Sequence, residues 1–394
     1  MKALALLIPT IMLFSCAHAQ DPYNVSESSG KLAFELYQQF SQENEQNIFF
    51  SPLSINLAIG MTYAGANGTT KEQVANVFHF PLQDKNLHSQ LGKLQKHLNS
   101  LGSEGIEVSI ANQLWADKQY KFLCSYTRGV KKAYKAPVKK MPFRTDPENC
   151  RLEINKWVED KTNDRIKNLL PKRSITDMTA LVLTNAVYFK GQWNSKFEPE
   201  ATIDGIFLSS INEKIECRMM NAQQKFNYFG NESFQLLEMP YAGNNFSMLV
   251  FLPSEGTSLN DVVSKLTFEK FAEYADSMVE EEVNVSFPKF KFESKYELKP
   301  VLSEMGMPIA FSNAADFTRM SKKPDLKIDE VYHKAFVEVS EEGTEAAAAT
   351  AVVVVRKMAK IPQRFEANRP FLFIIRENET GNILFMGRVT KPVK

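Results

Sequence analysis

Histidine and cysteine are scarce in this chain, and their scarcity closes off most catalytic chemistry. Of 394 residues, five are His and four are Cys. His18 and Cys16 lie near the N-terminus, which leaves His79, His88, His97 and His333, with Cys124, Cys150 and Cys217. None of these stand at zinc-site spacing, and three scattered thiols make no disulfide framework. At most one bridge can form, and a core of this size needs none. The H-E-x-x-H, G-x-S-x-G, P-loop and G-x-G-x-x-G patterns are all missing. A triad of Ser51 or Ser54 with His333 is a poorer reading than helix capping, because the two serines flank Pro52 at a helix start. No enzyme and no metal site is expected. Charge of one sign is lacking as well: 47 Lys and Arg face 46 Asp and Glu, so no global field points to nucleic acid or a membrane surface. Repeats, low-complexity tracts and Gly/Ser linkers do not occur. With 44% hydrophobic and 24% charged residues the composition is that of a globular protein.

The first nineteen residues differ from the rest. Lys2 precedes an apolar stretch from Ala3 to Phe14, and Ala17-His18-Ala19 follows. A charged start, a short hydrophobic run and a small-x-small site predict a signal peptide over 1–19, too short to span a bilayer. Residues 20–394 then form a single domain in a secreted, extracellular protein. Asn-x-Ser/Thr acceptors fall at Asn24, Asn67, Asn231, Asn245, Asn284 and Asn378. Asn24 and Asn231, in polar stretches, are the better candidates for glycans, while Asn245 and Asn284 sit in strand-like runs.

Helical spacing dominates the first half. Leu32, Leu36 and Phe40 predict an amphipathic helix capped by Ser28-Ser29, and 54–65 a buried helix. Leu87, Leu91, Leu94 and Leu98 stripe a polar helix over 84–100, and 150–170 reads as helical. Strand patterns take over from about residue 180: 181–189, 246–252, the alternating Val283, Val285 and Phe287, and 335–339. Pro288 implies a bulge or edge. The chain closes on 370–376 and 383–389, joined by a turn at 379–382. Helices followed by strands predict one large α+β domain.

One segment fits neither half. Residues 341–357 read EEGTEAAAATAVVVVRK, with an unbroken block of Ala, Thr and Val from Ala346 to Val355 before Arg356 and Lys357. Its Ala half favours helix and its Val half strand. Its dibasic end is what a trypsin-like protease cuts. Read as a strand, Thr344, Ala346, Ala348 and Thr350 share one face, all small, with Glu345 on the other.

Several long segments resemble the serpin family, in order and over nearly the whole chain from about residue 25. They are NIFFSPLS (47–54), LTNAVYFKGQW (183–193), FSNAADF (311–317), VYHKAFVEVSEEGTEAAAAT (331–350) and FEANRPFLFIIRENETGNILFMGRV (365–389). The resemblance implies three β-sheets with about nine helices, a metastable central sheet and an exposed reactive-centre loop at about 341–364. It implies a suicide inhibitor: a protease attacks the loop, forms an acyl-enzyme, and is trapped when the cleaved loop inserts into the central sheet. Thr344, Ala346, Ala348 and Thr350 would enter first, behind a hinge at Glu341 and Gly343.

By the same resemblance, Ser51, Ser54, Asn185 and His333 match a cluster beneath the opening sheet. Trp193 matches the residue where the loop first enters, and Lys289 the hinge partner of Glu341. Counting from Gly343 places the scissile bond between Lys357 and Met358 and implies trypsin-like targets. A register one residue earlier gives Arg356 and the same target class; one residue later gives Met358 and elastase-like or chymotrypsin-like targets. A monomer is expected. No cofactor is required, but Arg128, Lys131, Lys132 and Lys135 recur at near-helical spacing and leave a heparin-type glycosaminoglycan open as activator. The competing function is a non-inhibitory carrier or chaperone, against which the small-residue hinge counts.

Overall fold

A computed structural model describes residues 24–42, 46–83, 86–209, 211, 213–323, 326–344 and 361–392. The signal peptide expected over 1–19, Ala346, Ala348, Thr350, Arg356, Lys357, Met358 and the side chain of Asn185 lie outside the described residues. Among the described residues the fold has nine α-helices and fifteen strands. Helices α1 (Val25–Gln42), α2 (Pro52–Tyr63), α3 (Gly68–Phe78), α4 (Leu87–Ser100), α5 (Cys124–Tyr134) and α6 (Pro147–Lys161) come early; α7 (Leu259–Val263), α8 (Phe268–Asp276) and α9 (Leu298–Glu304) interrupt the later strands. No helix among the described residues is long and apolar enough to cross a membrane.

Two hydrogen-bonded sheets carry the fold. Six strands run in the order β10 (Phe290–Glu297), β11 (Glu330–Ser340), β12 (Gly343–Thr344), β4 (Leu181–Gln192), β2 (Ile106–Asp117) and β3 (Val138–Met141). The nine-stranded sheet follows β1 (Ile48–Phe50), β15 (Ile383–Val389), β14 (Phe371–Glu377), β8 (Phe246–Pro253), β7 (Phe234–Pro240), β6 (Lys214–Gly230), β9 (Val279–Pro288) and β13 (Gln363–Glu366), with β5 (Ile203–Leu208) on the side of β6. The three expected sheets appear as two ladders because the 17-residue β6 serves in two of them. Its end pairs with β7 through 227–230, its middle with β9 and its start with β5.

Core formation follows from apolar runs too long for one-sided burial. All eight residues of β8 and all seven of β15 are buried, as a strand covered on both faces requires. Phe49 stacks on Phe373 and Phe385 at 5.6 and 4.9 Å. All twelve residues of α2 are buried, as predicted, beneath β4 and β15. Ser51 caps it by accepting the Ser54 N–H at 3.2 Å, with Pro52 in the first turn.

Several local expectations need correction. α1 begins at Val25, so Ser28 and Ser29 lie inside it and are buried; Asn24 caps it instead, accepting the Ser26 N–H at 3.0 Å. The 150–170 helix stops at Lys161, where Asn163 and Asp164 take left-handed backbone angles. Pro288 stands at an edge position, as expected: it ends β9 with a ladder partner, Met219, on one side only, because β13 stops pairing at Ser286, and β10 then starts in the other sheet. Asn284 is exposed although it lies in β9. The loop is shorter at both ends than 341–364, because Gly343–Thr344 forms β12 and Gln363 opens β13.

Candidate functional site

The predicted hinge, entry and cluster residues meet along one seam in the six-stranded sheet. β11 and β4 run parallel and pair directly at one end, Glu330 with Val182 and Val331 with Leu183. At the other end they diverge and β12 is wedged between them, antiparallel to both. Thr344 faces Val339 on one side and Gly191 on the other, and Gly343 faces Ser340 and Gln192. Between these ends no ladder pair among the described residues joins 332–338 to 184–190. Each of these strands is nevertheless paired on its outer edge, β11 with β10 and β4 with β2. Among the described residues, the facing edges of 332–338 and 184–190 thus form a slot without ladder partners.

The slot keeps register from end to end. The offset between Val339 and Gly191, which share Thr344, equals the offset between Val331 and Leu183, which pair directly. A strand continuing from Thr344 can therefore bond both walls without a slip.

The hinge is built to hold this geometry. Gly343 has φ +145°, and a Cβ there would lie 2.0 Å from the Gly191 carbonyl oxygen, so glycine alone fits. Thr344 is 4% exposed and its hydroxyl lies 2.7 Å from the Tyr241 hydroxyl. The entering residue is thus already seated, not exposed as the loop reading implied. Lys289 Nζ contacts Glu341 at 2.7 Å, as expected, and the Thr202 hydroxyl donates to the same carboxylate at 2.9 Å. Burial pushes the Glu341 carboxyl up, but the Lys289, backbone and Thr202 hydrogen bonds outweigh it and hold the group below its ordinary range. Lys196 pairs with Glu342 at 2.6 Å, a second ion pair that pattern reading missed. Trp193 stacks on Tyr241 at 4.7 Å and 9°, and its indole N–H donates to the Ser340 carbonyl at 3.0 Å.

Beneath the middle of the slot lies the serine–histidine cluster. His333 is 4% exposed, and its Nε2 accepts the Ser51 N–H at 3.0 Å. Burial pushes its pKa down to about 3, so the ring is neutral. Ser54 Oγ and both polar atoms of the Asn56 side chain are buried without a hydrogen-bond partner among the described residues. Asn185 sits in β4 opposite Asn112. Above the slot runs the 162–170 segment: Arg165 stacks over the Phe336 ring at 5.7 Å, and Lys334 donates to the Lys167 carbonyl at 3.1 Å.

The remaining candidates lie elsewhere. Arg128, Lys131, Lys132 and Lys135 are exposed on or just beyond α5. Lys132 and Lys135 share a cleft with Lys93 and Lys96 of α4 and with Lys161. The two helices approach closely at Gly92, where a Cβ would lie 2.0 Å from the Ala133 carbonyl. Asn24 and Asn231 are exposed, although each side chain accepts local backbone N–H groups. Cys124, Cys150 and Cys217 form no disulfide among the described residues.

Known proteins share this arrangement. The family profile described as "Serpin (serine protease inhibitor)" matches residues 27–392. Human Serpin B4 is 42% identical, with 94% of this chain and all of that protein covered. The leukocyte elastase inhibitor of Xenopus tropicalis is 38% identical at the same coverage. Among solved structures, uncleaved ovalbumin superposes with a TM-score of 0.84 at 31% identity, covering 94% of this chain and 100% of that one. Human thyroxine-binding globulin complexed with thyroxine gives 0.85 at 29%, covering 94% and 99%. The chain carrying this seam belongs to the serpin family of serine protease inhibitors, a family that blocks proteases and is not one of enzymes.

Proposed function

We propose that this protein is a secreted suicide substrate of trypsin-like serine proteases, cut between Lys357 and Met358. The protease serine attacks the Lys357 carbonyl and the chain from Met358 leaves as a free amine, giving an acyl-enzyme. The freed segment then fills the slot from Thr344 downward, carrying the protease along before water can deacylate the ester. The observation that supports this reading best is the matched register of β4 and β11 across their unpaired stretch. Continued in that register, Ala346 and Ala348 lie on the buried face shared with Thr344, and Thr350 comes between His333 and Asn185. Its hydroxyl would then reach the Ser54 and Asn56 groups that lack partners. A large or charged side chain on that face would slow filling and let deacylation win.

Secretion is supported by the leader-like composition of 1–19 and by a family match that starts only at residue 27. The lysine cleft between α4 and α5 supports a sulfated polysaccharide as an accelerating cofactor, although solvated basic faces are common. Elution from a heparin column at physiological salt would remove that part of the reading. The name of the leukocyte elastase inhibitor keeps the register ending at Met358 in play, and the thyroxine complex keeps a carrier role in play.

Incubation with trypsin separates these readings. An inhibitor of the proposed kind gives a covalent complex that survives SDS, with mass mapping of the released peptide starting at Met358. A carrier gives only cleaved chain. A complex with elastase but not trypsin moves the bond past Met358.

A further inference from the structure

Three side chains that belong to no part of the seam meet beyond the last turn of α4. His97 Nε2 lies 3.9 Å from Glu377 Oε1 and 4.0 Å from Glu379 Oε2. All three ligand-type atoms fall within 4.8 Å of one another. Glu377 ends β14 and its side chain is 2% exposed. Its Oε1 accepts the Glu379 N–H and its Oε2 the Thr380 N–H, both at 2.8 Å, and the Thr380 hydroxyl also donates to Oε2. These bonds fix the carboxylate in place but bring no positive charge, and no Lys or Arg among the described residues forms an ion pair with it. His97 Nε2 is shielded from water and has no hydrogen-bond partner among the described residues.

A buried carboxylate without a cation is costly. A ring nitrogen facing it at 3.9 Å stands too far for a hydrogen bond. The spacing is closer to that of two ligands sharing one ion. Tetrahedral zinc, with bonds of about 2.0–2.2 Å, sets its ligands roughly 3.4 Å apart. A movement of about half an ångström would therefore bring the His97 nitrogen to shared-ligand spacing with each carboxylate. Glu379, with a side chain 80% exposed, has the freedom to make it. One imidazole and two carboxylates are a donor set that borderline divalent metals accept.

We propose that His97, Glu377 and Glu379 bind a divalent transition-metal ion of the zinc class, with water completing the shell. The ion would join the two sheets. Gln95 and Asn99 already tie α4 to β2, both donating to the Ile110 carbonyl while Asn99 accepts the Ile110 N–H. Glu377 ends β14 and Glu379 lies in the turn that follows it, in the other sheet. Binding to the folded chain stabilises it by mass action.

Zn²⁺ added to metal-stripped, full-length protein should raise Tm by a few degrees. Co²⁺ should produce the visible absorption of a tetrahedral site. His97→Ala and Glu379→Gln should each abolish both signals. Glu379→Gln alters an exposed side chain, so it decides the matter even if the His97 variant does not fold. An unchanged Tm rise in these variants would place the ion on another group, such as Cys124, and overturn the proposal. A wild-type protein with neither a Tm rise nor a Co²⁺ spectrum would overturn it equally.

Discussion

The two sheets of this molecule are built from similar strands but finished differently. In the nine-stranded sheet, β8 is paired along its length by β7 on one edge and along most of it by β14 on the other, and every one of its residues is buried. In the six-stranded sheet, β4 is paired on one edge by β2 through eleven residues but on the other, among the described residues, only at its two ends. In the first sheet, β8 has backbone partners on both edges. The second, among the described residues, leaves a stretch without ladder partners that is in register for one more strand. The edges left without ladder partners among the described residues are thus local to one seam, beside a core that is paired and buried elsewhere.

This contrast can be broken by substitution. Lys357→Ala should have the largest effect, abolishing the trypsin complex while leaving folding untouched; persistent trapping would move the bond to a neighbour. Thr344→Arg should come next. It replaces a buried hydroxyl bonded to Tyr241 with a charge that the slot cannot take. The protein should stay folded, because the Val331–Leu183 end still pairs, but trypsin should turn it over as a substrate. Unchanged inhibition stoichiometry would refute insertion through this slot. Phe251→Ala in β8 should do the opposite, lowering stability by about 3–5 kcal/mol without shifting the balance between inhibitor and substrate.

Smaller effects sharpen the comparison. His333 titrates near 6.5 in the unfolded chain and near 3 in the folded one. Below pH 6.5 the unfolded state takes up the proton first, so the stability is present above 6.5 and is lost as pH falls toward 3. The loss runs at up to about 1.4 kcal/mol per pH unit. Denaturant unfolding between neutral pH and about pH 5 should show this slope, and His333→Gln should flatten it. Lys289→Ala should cost least, about 1 kcal/mol or less, since Lys289 is 38% exposed. Its visible effect should be a loosened hinge, read as faster proteolysis near Gly343.

Much of this was legible in the sequence, for identifiable reasons. The α2 and β8 assignments rest on apolar runs that leave no polar face. The hinge and cluster assignments rest on resemblance; in the structure Glu341 contacts Lys289, Trp193 donates to Ser340, and Ser51 donates to His333. β2 went unread although Ile106, Val108 and Ile110 alternate, because Asn112 and Gln113 break the pattern. Those amides are buried only because they find partners such as Gln95 and the Pro137 carbonyl. No local signal announces that Thr344 is seated in the sheet, because the slot is formed by strands far apart in the chain. The meeting of His97 with Glu377 and Glu379 is invisible for the same reason.

Hydrogen exchange on intact and loop-cleaved protein tests the central claim most directly. After cleavage, amides in 184–190 and 332–338 should gain strong protection, while 246–253 and 371–377 stay as they were. A cleaved protein whose β4 and β11 amides exchange as fast as before would show that the slot was never filled, and would contradict the account.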